Sequence, residues 1–373
     1  MNKDASGTPS RGPLSGIKVL EMDGIGPGPF GTMLLADLGA NVLTVGRSGP
    51  ANPFGSVPVG SRGRSGMIKL DLKSDAGRER VLKLIEQTDV IVEGFRPGVM
   101  ERLGLGPDVA LERNPRLVYA RMTGWGQTGP LAKIAGHDIN YISLSGALHS
   151  MGKAGSPPPP PLNLVGDYGG GGMVLALGIV SALLETRTSG KGQVIDAAMV
   201  EGAGTLLAPI FGMKSAGAWP VERDGNMLDG SSFYYRCYEC ADGQFMSVGS
   251  LEPQFRMMLI EKLGLAAESK DIMSRVHTDA EMHQRFEAIF KQHDRAHWIQ
   301  VFDGSDACVA PVMSMNEAPQ HPHNQARKSF TQIGNETHPV RTPKFSRTPL
   351  VSPADDEADR EARLAQWGID PAA

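Results

Sequence analysis

Ile17-Lys18-Val19-Leu20-Glu21-Met22, followed by the Gly/Pro run Asp23 to Pro29, gives the clearest indication of the fold class. Its apolar half predicts a buried strand, and the glycines and prolines predict a loop. An apolar helix is expected from Phe30 to Leu38, with Gly39 just after its end. A second strand is predicted from Asn41 to Val45. This order of elements is typical of a parallel α/β sheet.

The same alternation continues along the chain. Strands are expected at Met67–Leu70, Val90–Val92 and Leu117–Ala120, with an amphipathic helix starting at Lys73 to Ala76 and running through Ile85. Strands that alternate with helices favour a parallel sheet covered by helices on both faces. The fold class is therefore predicted to be α/β.

The second half of the chain has a different pattern. A buried helix is expected at 173–186 and a helical stretch from about Asp196 to Gly217. Phe233–Glu239 and Gln244–Val248 predict an antiparallel hairpin through Ala241 to Gly243, and helices are expected to follow to about Phe302. A last charged helix is predicted from Asp355 to Trp367.

These patterns predict two domains, which suits a length of 373 residues. The large domain is expected to span 1–215 with a C-terminal return over 330–373, and a smaller α+β domain to span 225–320. Linkers are expected at about 215–225 and 321–330. The second linker begins a stretch rich in Pro, Thr and His, 321–350, that returns to the large domain. Residues 154–162, with prolines from 157 to 161, predict a stiff extended connector.

Composition limits the classes of function. Hydrophobic residues make up 40% and charged residues 21%, with a net charge of −4 and a pI of about 6.2, so no nucleic-acid partner is expected. The N-terminus lacks an apolar signal region, and the longest apolar stretch, Met173 to Leu184, is too short to span a bilayer. Three cysteines fit a cytoplasmic setting. We therefore expect a cytoplasmic protein with no membrane association and no metal site.

Gly26-Pro27-Gly28-Pro29-Phe30-Gly31 matches the dinucleotide pattern G-x-G-x-x-G. An NAD site needs an acidic residue at the end of the next strand, where this chain has Gly46-Arg47. Arg47 would accept the 2′-phosphate of NADP, so an NADP oxidoreductase remains an alternative. The two prolines remove N–H groups that would hold a pyrophosphate.

Basic residues near strand ends favour another ligand. They are Arg47, Arg62, Arg64, Lys73, Arg96 and Arg102. Ligands of open α/β sheets bind at the carboxyl ends of the strands, where this cluster would hold a nucleotide with several phosphates, such as coenzyme A. The structural alternative is that these are solvated surface charges.

Two glycine-flanked motifs hold the candidate bases. They are Gly136-His137-Asp138-Ile139-Asn140-Tyr141 and Gly166-Asp167-Tyr168, on either side of the proline tract. Two unlike bases that face each other across a small substrate suit the transfer of a proton between the faces of a carbon. The structural alternatives are a loop histidine without a role and an aspartate that caps a helix.

Many ordered segments together identify a family resemblance. They include Leu35 to Ala40, Glu93 to Gly98, Arg121 to Pro130, Gly136 to Tyr141, Gly190 to Gln193 and Ser250 to Phe255. The chain resembles the family III CoA transferases, and within them the racemases that act on 2-methylacyl-CoA thioesters. The resemblance runs from Gly12 to roughly residue 320.

The resemblance implies a Rossmann-like large domain and an interlocked homodimer. It also implies an active site where the large domain of one subunit meets the small domain of the other. By position, it implies His137 and Asp167 as the two bases and Glu252 as the partner of the histidine. The CoA contacts that it implies are Arg47, Leu70, Asp71, Leu72, Lys73, Gly94, Phe95, Arg96, Arg102, Gly136, Asp138, Ile139, Asn140 and Tyr141. CoA is part of the substrate, so no separate cofactor is expected.

The implied activity is an isomerase of lipid metabolism that inverts the α-carbon through an enolate. Asp167 must start in the opposite protonation state to His137, and N–H groups of Gly169 to Gly172 are a hypothesis for the enolate oxygen. The alternative is a CoA transferase in which Asp167 is a nucleophile; those enzymes generally lack the histidine. A non-catalytic CoA-binding protein would lack one of the bases. Gly46 departs from the family's usual acidic residue before Arg47, and Ser61 to Arg64 also differ from its common pattern.

Overall fold

The computed structural model describes residues 12–47, 64–333, 336–350 and 357–369. The chain forms two compact units. The large unit comprises Met1–Gly146, Pro160–Leu207 and His338–Ala373, and the small unit comprises Ala147–Pro159 and Ala208–Thr337. Three stretches that the sequence-based division assigned to the large domain, 147–159, 208–215 and 330–337, thus belong to the small unit. The chain re-enters the large unit within the proline tract, between Pro159 and Pro160.

A parallel sheet of six strands forms the centre of the large unit within the described residues. The strands are β1 (Lys18–Met22), β2 (Asn41–Arg47), β3 (Arg64–Leu70), β4 (Val90–Glu93), β5 (Val118–Thr123) and β6 (Gln193–Ala198). Their order is β3-β2-β1-β4-β5-β6, and each neighbouring pair is parallel. This is the doubly wound order of dinucleotide-binding folds, so the α/β prediction is confirmed.

Strand β6 corrects the helix that was expected from Asp196. It pairs with β5 from Gln193 opposite Val118 to Ala198 opposite Thr123. As an edge strand it leaves Val194 and Asp196 exposed, so it lacks the continuous apolar run that marks the inner strands. The helices that follow begin only at Met199.

Helices cover both faces of the sheet. The helices of the large unit are α1 (Pro27–Asp37), α2 (Asp75–Ile85), α3 (Val99–Arg102), α4 (Pro107–Arg113), α5 (Asp138–Ser145), a π-helix (Leu164–Met173), α6 (Val174–Ser189), α7 (Met199–Leu206) and, near the C-terminus, Glu357–Gln366. One core joins the sheet to α1 and α6 through residues such as Leu35 and Ile179. The core on the other face includes Val81 of α2 and Trp367 near the C-terminus.

The π-helix and α6 form one continuous helical segment, Leu164–Ser189, which is longer than the 173–186 helix expected from the sequence. It has 26 residues and is long and apolar enough to cross a membrane by length and composition alone. Part of it, including Leu175 and Ile179, is buried in the core of the large unit. The expectation of no membrane association therefore stays a prediction.

Glycines allow α1 and α7 to approach the π-helix closely. A Cβ on Gly172 would lie 2.6 Å from the Phe30 ring and 2.8 Å from the carbonyl oxygen of Pro27. A Cβ on Gly202 of α7 would lie 1.8 Å from the carbonyl oxygen of Gly170. In the sequence after β1, Gly31 has the same role, because a Cβ there would lie 2.9 Å from the Leu175 side chain and 3.1 Å from the Gly172 carbonyl oxygen.

The small unit contains a three-stranded antiparallel sheet and a set of short helices. Its elements are α8 (Ala208–Ser215), β7 (Tyr235–Glu239), β8 (Phe245–Gly249), α9 (Pro253–Lys262), α10 (Ser269–Ser274), α11 (Ala280–Phe290), α12 (Arg295–Phe302), β9 (Val309–Pro311) and α13 (Pro322–Arg327). The predicted hairpin is present, with β7 paired to β8 and β9 on its other side. Its core is aromatic and includes Phe286, Phe290 and Trp298.

The return at 321–350 contains secondary structure that the linker prediction left out. Besides α13, strands β10 (Phe330–Ile333) and β11 (Glu336–Pro339) form a two-stranded sheet. The last helix, α14 (Glu357–Gln366), is followed by Trp367, whose indole Nε1 donates to Asn41 Oδ1 at 3.0 Å. That bond fastens the C-terminal return to the amino end of β2.

Candidate active site

The strand order places a ligand site at the carboxyl edge of the sheet. The order reverses between β1 and β4, and at such a switch point the loops leave a crevice. The loop after β1 leads to Gly26, and the loop after β4 contains Gly94, Phe95 and Arg96. The fold thus positions the first candidate CoA loop beside the switch point.

His137 is the N-cap residue of α5 and is exposed. Asn140 holds its backbone from both sides: its Oδ1 accepts the His137 N–H at 3.0 Å, and its own N–H donates to the His137 carbonyl at 2.8 Å. The backbone of His137 is therefore fixed while its imidazole stays accessible. Ile139, also exposed, lies in the same first turn of α5.

Tyr141 and Trp125 enclose Gly136 before the histidine. The Tyr141 hydroxyl donates to the Gly136 carbonyl, and its ring meets Trp125 edge-on at 4.7 Å between centroids. A Cβ on Gly136 would lie 2.8 Å from the Tyr141 ring and 3.1 Å from Trp125. Glycine is required here because the aromatic pair occupies the space of a side chain.

Asp167 lies within the π-helix in a partly buried position. Its Oδ2 accepts from Asn163 Nδ2 at 3.1 Å, and a Cβ on Gly26 would lie 3.3 Å from the same oxygen. Its N–H donates to Asp138 Oδ2 at 2.6 Å. Gly26 (φ 68°) therefore allows the loop after β1 to approach the carboxyl of Asp167.

Burial raises the pKa of the Asp167 carboxyl above its ordinary value. The hydrogen bond from Asn163 opposes that rise, the negative charge of Asp138 adds to it, and the charge of His137 lowers it. The two candidate bases are therefore close enough to interact electrostatically. A raised carboxyl pKa brings the proton affinity of Asp167 closer to that of a histidine, which suits two groups that exchange acid and base roles.

Tyr141 links this pair to the loop after β4. Burial raises the pKa of its phenol, the charge of Asp167 raises it further, and the charge of Arg96 lowers it. Arg96, Tyr141 and Asp167 thus belong to one electrostatic cluster in the large unit.

A buried ion pair holds the loop after β4. Glu93 Oε1 accepts from Arg121 Nε at 2.8 Å, and Glu93 Oε2 accepts the Phe95 N–H at 2.8 Å. Arg121 also donates through Nη1 to Glu101 of α3 at 2.8 Å. The pKa of Glu93 is raised by its burial, against the opposing hydrogen bond of Phe95 and charge of Arg121. One guanidinium therefore holds both ends of the segment that contains Arg96.

The other predicted CoA residues lie at strand ends of the large unit. Leu70 ends β3, and Asp71 Oδ1 accepts the Lys73 N–H at 3.0 Å in the turn before α2. Leu72 packs against the core, whereas Lys73 and Arg102 are exposed. Lys73 follows β3, and Arg102 ends the short helix α3 that follows β4; exposed cations of this kind suit the binding of phosphates.

The remaining basic residues of the sequence cluster differ in position. Arg47 ends β2, opposite Leu70 of β3, at the carboxyl edge, although its side chain lies outside the description. Arg64 begins β3 and pairs with Val42, so it is at the opposite, amino edge of the sheet. Its expected place among the carboxyl-edge loops is wrong, because β3 starts three residues earlier than the predicted Met67. Arg62 falls outside the described residues.

Glu252 belongs to the small unit, where it is the exposed N-cap residue of α9 before Pro253. Burial raises the pKa of the Cys308 thiol, and the charge of Glu252 raises it further, so the two side chains are neighbours. Cys308 also lines a cavity of about 830 Å³ together with Tyr235 and Cys237.

The hypothesis that Gly169 to Gly172 donate to an enolate oxygen is not supported. These residues lie inside a continuous helix, not at its start, and Gly170, Gly171 and Gly172 are buried. Amides inside a π-helix donate to carbonyls five residues earlier. The first turn of α5, beside His137, offers an alternative because the first N–H groups of a helix lack helical partners.

Sequence reasoning missed the residues that hold the site. Glu93, Glu101 and Arg121 hold the loop with Arg96 through side-chain contacts between elements distant in the sequence. Asn163, the N-cap of the π-helix, contacts Asp167 from only four residues earlier in the chain. The local pattern contained one signal: Glu93 and Arg121 are charged residues inside otherwise apolar strands, and a buried charge requires a partner. No group of three or more His, Cys, Asp or Glu placed to hold a metal occurs in the described part of the chain.

The doubly wound sheet brings His137, Asp167 and the basic residues together in one unit, and this arrangement is typical of an enzyme of the α/β class. The profile of the CoA-transferase family III matches residues 14–356, and the chain belongs to that family. It is 45% identical over 344 residues to the α-methylacyl-CoA racemase of Mus musculus, covering 91% of this chain and 88% of the mouse protein. It is 43% identical over 339 residues to the α-methylacyl-CoA racemase of Homo sapiens, with the same coverages.

A solved structure agrees with the fold. The crystal structure of a CAIB/BAIF family protein from Brucella suis has a TM-score of 0.78 and 25% sequence identity, and the match covers 96% of this chain and all of that one. The resemblance inferred from the sequence motifs is confirmed at the level of the family.

Proposed function

We propose that the protein is an isomerase that inverts the α-carbon of 2-methylacyl-CoA thioesters. The observation that carries the proposal is the contact that brings the two bases together: Asp138, the residue after His137, accepts the Asp167 N–H at 2.6 Å. Burial in this place raises the pKa of Asp167. Relatives at 43–45% identity bear the name of this activity. One base removes the α-hydrogen as a proton and the other returns a proton to the opposite face.

The reaction passes through an enolate whose charge rests on the thioester oxygen. The N–H groups of Asp138 and Ile139 belong to the first turn of α5, next to His137. Helix geometry leaves such groups without helical acceptors, and the helix dipole favours a negative charge there. We propose that they hold the enolate oxygen and that His137 and Asp167 act on the adjacent carbon.

CoA enters as part of the substrate, and no separate cofactor is proposed. Its phosphates would meet Arg47, Lys73, Arg96 and Arg102, which lie at the end of β2 or in the segments that follow β3 and β4. The loops Leu70–Asp71–Leu72 and Gly94–Phe95, together with Gly136, Asn140 and Tyr141, would shape the path to the bases. The exposure of Lys73, Arg96 and Arg102 supports this binding mode.

We propose that the protein is a homodimer in which Glu252 of one subunit orients His137 of the other. An apolar stripe on the helical segment supports a partner surface: Met173, Leu177 and Leu184 are 57%, 67% and 67% exposed. Exposed apolar side chains in register on one helix are typical of a protein interface. The small unit adds α8, an apolar helix without a fully buried residue.

A CoA transferase remains the competing function, since the family includes such enzymes. There Asp167 would attack the thioester as a carboxylate. Its raised pKa works against that role, because burial disfavours the charged nucleophile, whereas a proton-transfer pair needs one member protonated. We also propose a cytoplasmic location and no nucleic-acid or membrane partner, which the composition supports. The class of substrate supports a role in lipid metabolism.

The deciding experiment is incubation with one enantiomer of a 2-methylacyl-CoA in D₂O. We expect deuterium at the α-carbon together with loss of optical purity. Mass spectrometry measures the deuterium, and chiral separation of the released acids measures the optical purity. The competing function predicts transfer of CoA to an added free acid with no α-deuterium, and that result would reject the racemase.

A further inference from the structure

Asp138 connects the two candidate bases. It follows His137 directly in the chain, and its Oδ2 accepts the backbone N–H of Asp167 at 2.6 Å. The residue is only 7% exposed, so this carboxyl is turned into the protein. A single side chain thus joins the first turn of α5 to the π-helix, and with it the histidine loop to the aspartate loop.

The neighbouring glycine fits this contact. A Cβ on Gly166 would lie 2.3 Å from Asp138 Oδ2 and 2.8 Å from its Cγ. Any larger residue at 166 would push the carboxyl away from the Asp167 amide. A glycine at position 166 therefore leaves the space that the Asp138 carboxyl needs to reach the Asp167 amide.

The second carboxyl oxygen of Asp138 has no hydrogen-bond partner in the described part of the chain, and it is buried. A buried carboxylate with an unsatisfied oxygen is costly. Folding stability alone would favour a neutral side chain at this position. The presence of a carboxylate at position 138 is explained if its negative charge acts on the neighbouring Asp167.

We propose that Asp138 is a positioning residue that fixes Asp167 relative to His137 and sets the negative charge that Asp167 faces. The proposal rests on the racemase function given above. It assigns the Asp138 side chain a place between the bases, where the family resemblance gives the residue only as part of a CoA-binding segment.

The electrostatics of Asp167 agree with this geometry. Burial is the largest cause of its raised pKa, and the charge of Asp138 acts in the same direction. Asn163, through its hydrogen bond, and His137, through its charge, act in the opposite direction. Tyr141 also faces this carboxyl, since the charge of Asp167 raises the phenol pKa. Substitutions of Asp138 and of Asn163 should therefore change the pKa of Asp167 in opposite directions.

The test is a pair of variants measured by two methods. Asp138→Asn keeps an oxygen for the Asp167 amide but removes the charge, so the pKa of Asp167 should fall. Asn163→Leu removes the hydrogen bond that favours the carboxylate, so the pKa should rise. For the enantiomer from which Asp167 removes the proton, the acid limb of the pH profile of kcat/KM should move to lower pH in the first variant and to higher pH in the second.

A direct readout separates this inference from the proposed function. Titration of ¹³C-labelled aspartate carboxyls by NMR, with Asp167 assigned by its absence in Asp167→Asn, follows the pKa without any activity. Asp196→Asn is the matched control, because Asp196 Oδ2 also accepts a backbone N–H, that of Gln127, at 3.0 Å. This control should leave both the titration of Asp167 and the pH profile unchanged.

The outcomes are distinct. Opposite shifts of the Asp167 titration in the two variants support the role of Asp138, even if the reaction proves to be CoA transfer. An unchanged titration in Asp138→Asn overturns it, even if racemisation is observed in the wild type. If Asp138→Asn does not fold, Gly166→Ala displaces the same carboxyl, and an unchanged titration there overturns the inference equally.

Discussion

At the scale of single residues, the sequence locates the two bases but not what holds them. His137 and Asp167 stand out because each follows a glycine in a short motif. Their partners are visible only in the structure: Asp138 contacts Asp167 where α5 packs against the π-helix, and Asn163 contacts it from the N-cap of the π-helix itself. Contacts between elements far apart in the chain leave no periodic signal, so composition and spacing cannot reveal them.

The raised pKa of Asp167 predicts a cost in stability. Between the unfolded pKa of an aspartate and its higher folded value, the native state binds the proton more tightly. Stability contributed by this carboxyl is therefore present at low pH and lost as pH rises through that window. Asp167→Asn should unfold at a higher temperature than the wild type at neutral pH, and the difference should vanish in acid. Equal midpoints at neutral pH would contradict the electrostatic description of Asp167.

At the scale of elements, the inner strands were predictable and the edge strand and π-helix were not. β1, β2 and β4 are buried on both faces and show as apolar runs. β6 is half exposed, so its sequence is compatible with a helix. The π-helix depends on Gly170 and its neighbours fitting against other helices, which the glycine-rich sequence alone leaves undetermined.

The contact of α7 with the π-helix gives a stability prediction. Gly202→Ala would place a methyl group 1.8 Å from the Gly170 carbonyl oxygen, so we expect a loss of about 1–3 kcal/mol or more in unfolding free energy. Gly204→Ala, in the same helix, meets nothing within 4 Å and should be neutral or stabilising by up to about 1 kcal/mol. Urea denaturation of both variants checks this. Similar stabilities for the two would refute the close packing.

The ion pairs around β4 give a prediction for substrate binding. Glu101→Gln weakens the outer contact of Arg121 but leaves the buried Glu93 contact in place. If the loop with Arg96 binds the nucleotide half of CoA, KM for the CoA thioester should rise several-fold with kcat nearly unchanged. The corresponding pantetheine thioester, which lacks the nucleotide, should show no such change. Equal effects on both substrates would show that the loop does not act on the nucleotide.

At the scale of the whole molecule, the motifs identify the family, and the contact pattern divides the chain into two units. The sequence placed the unit boundaries near changes of composition. It missed that residues 147–159 belong to the small unit, because the proline tract has no period that assigns it to either side. Polar and proline-rich connections carry little packing information, which is why such boundaries are harder to place than the elements.

The apolar stripe of the helical segment predicts the oligomeric state. Leu177→Asp with Leu184→Asp places charges on side chains that are 67% exposed, so the isolated fold should tolerate them. A dimer that buries this stripe should dissociate in the double variant, as measured by light scattering after size exclusion. Ser181→Asp serves as a comparison, because it places a single charge at an exposed polar residue of the same helix and removes no apolar side chain. A dimer of unchanged mass in the double variant would exclude this surface as the interface.

The central claim is that His137 and Asp167 act on opposite faces of one carbon. The most direct measurement is α-deuteration of each enantiomer of a 2-methylacyl-CoA in D₂O by His137→Ala and by Asp167→Ala. Each variant should lose racemisation by about 100-fold or more, yet retain exchange on one enantiomer only, and on opposite ones. Full exchange from both enantiomers in both variants, or the same enantiomer preference in the two, would contradict the assignment of the bases.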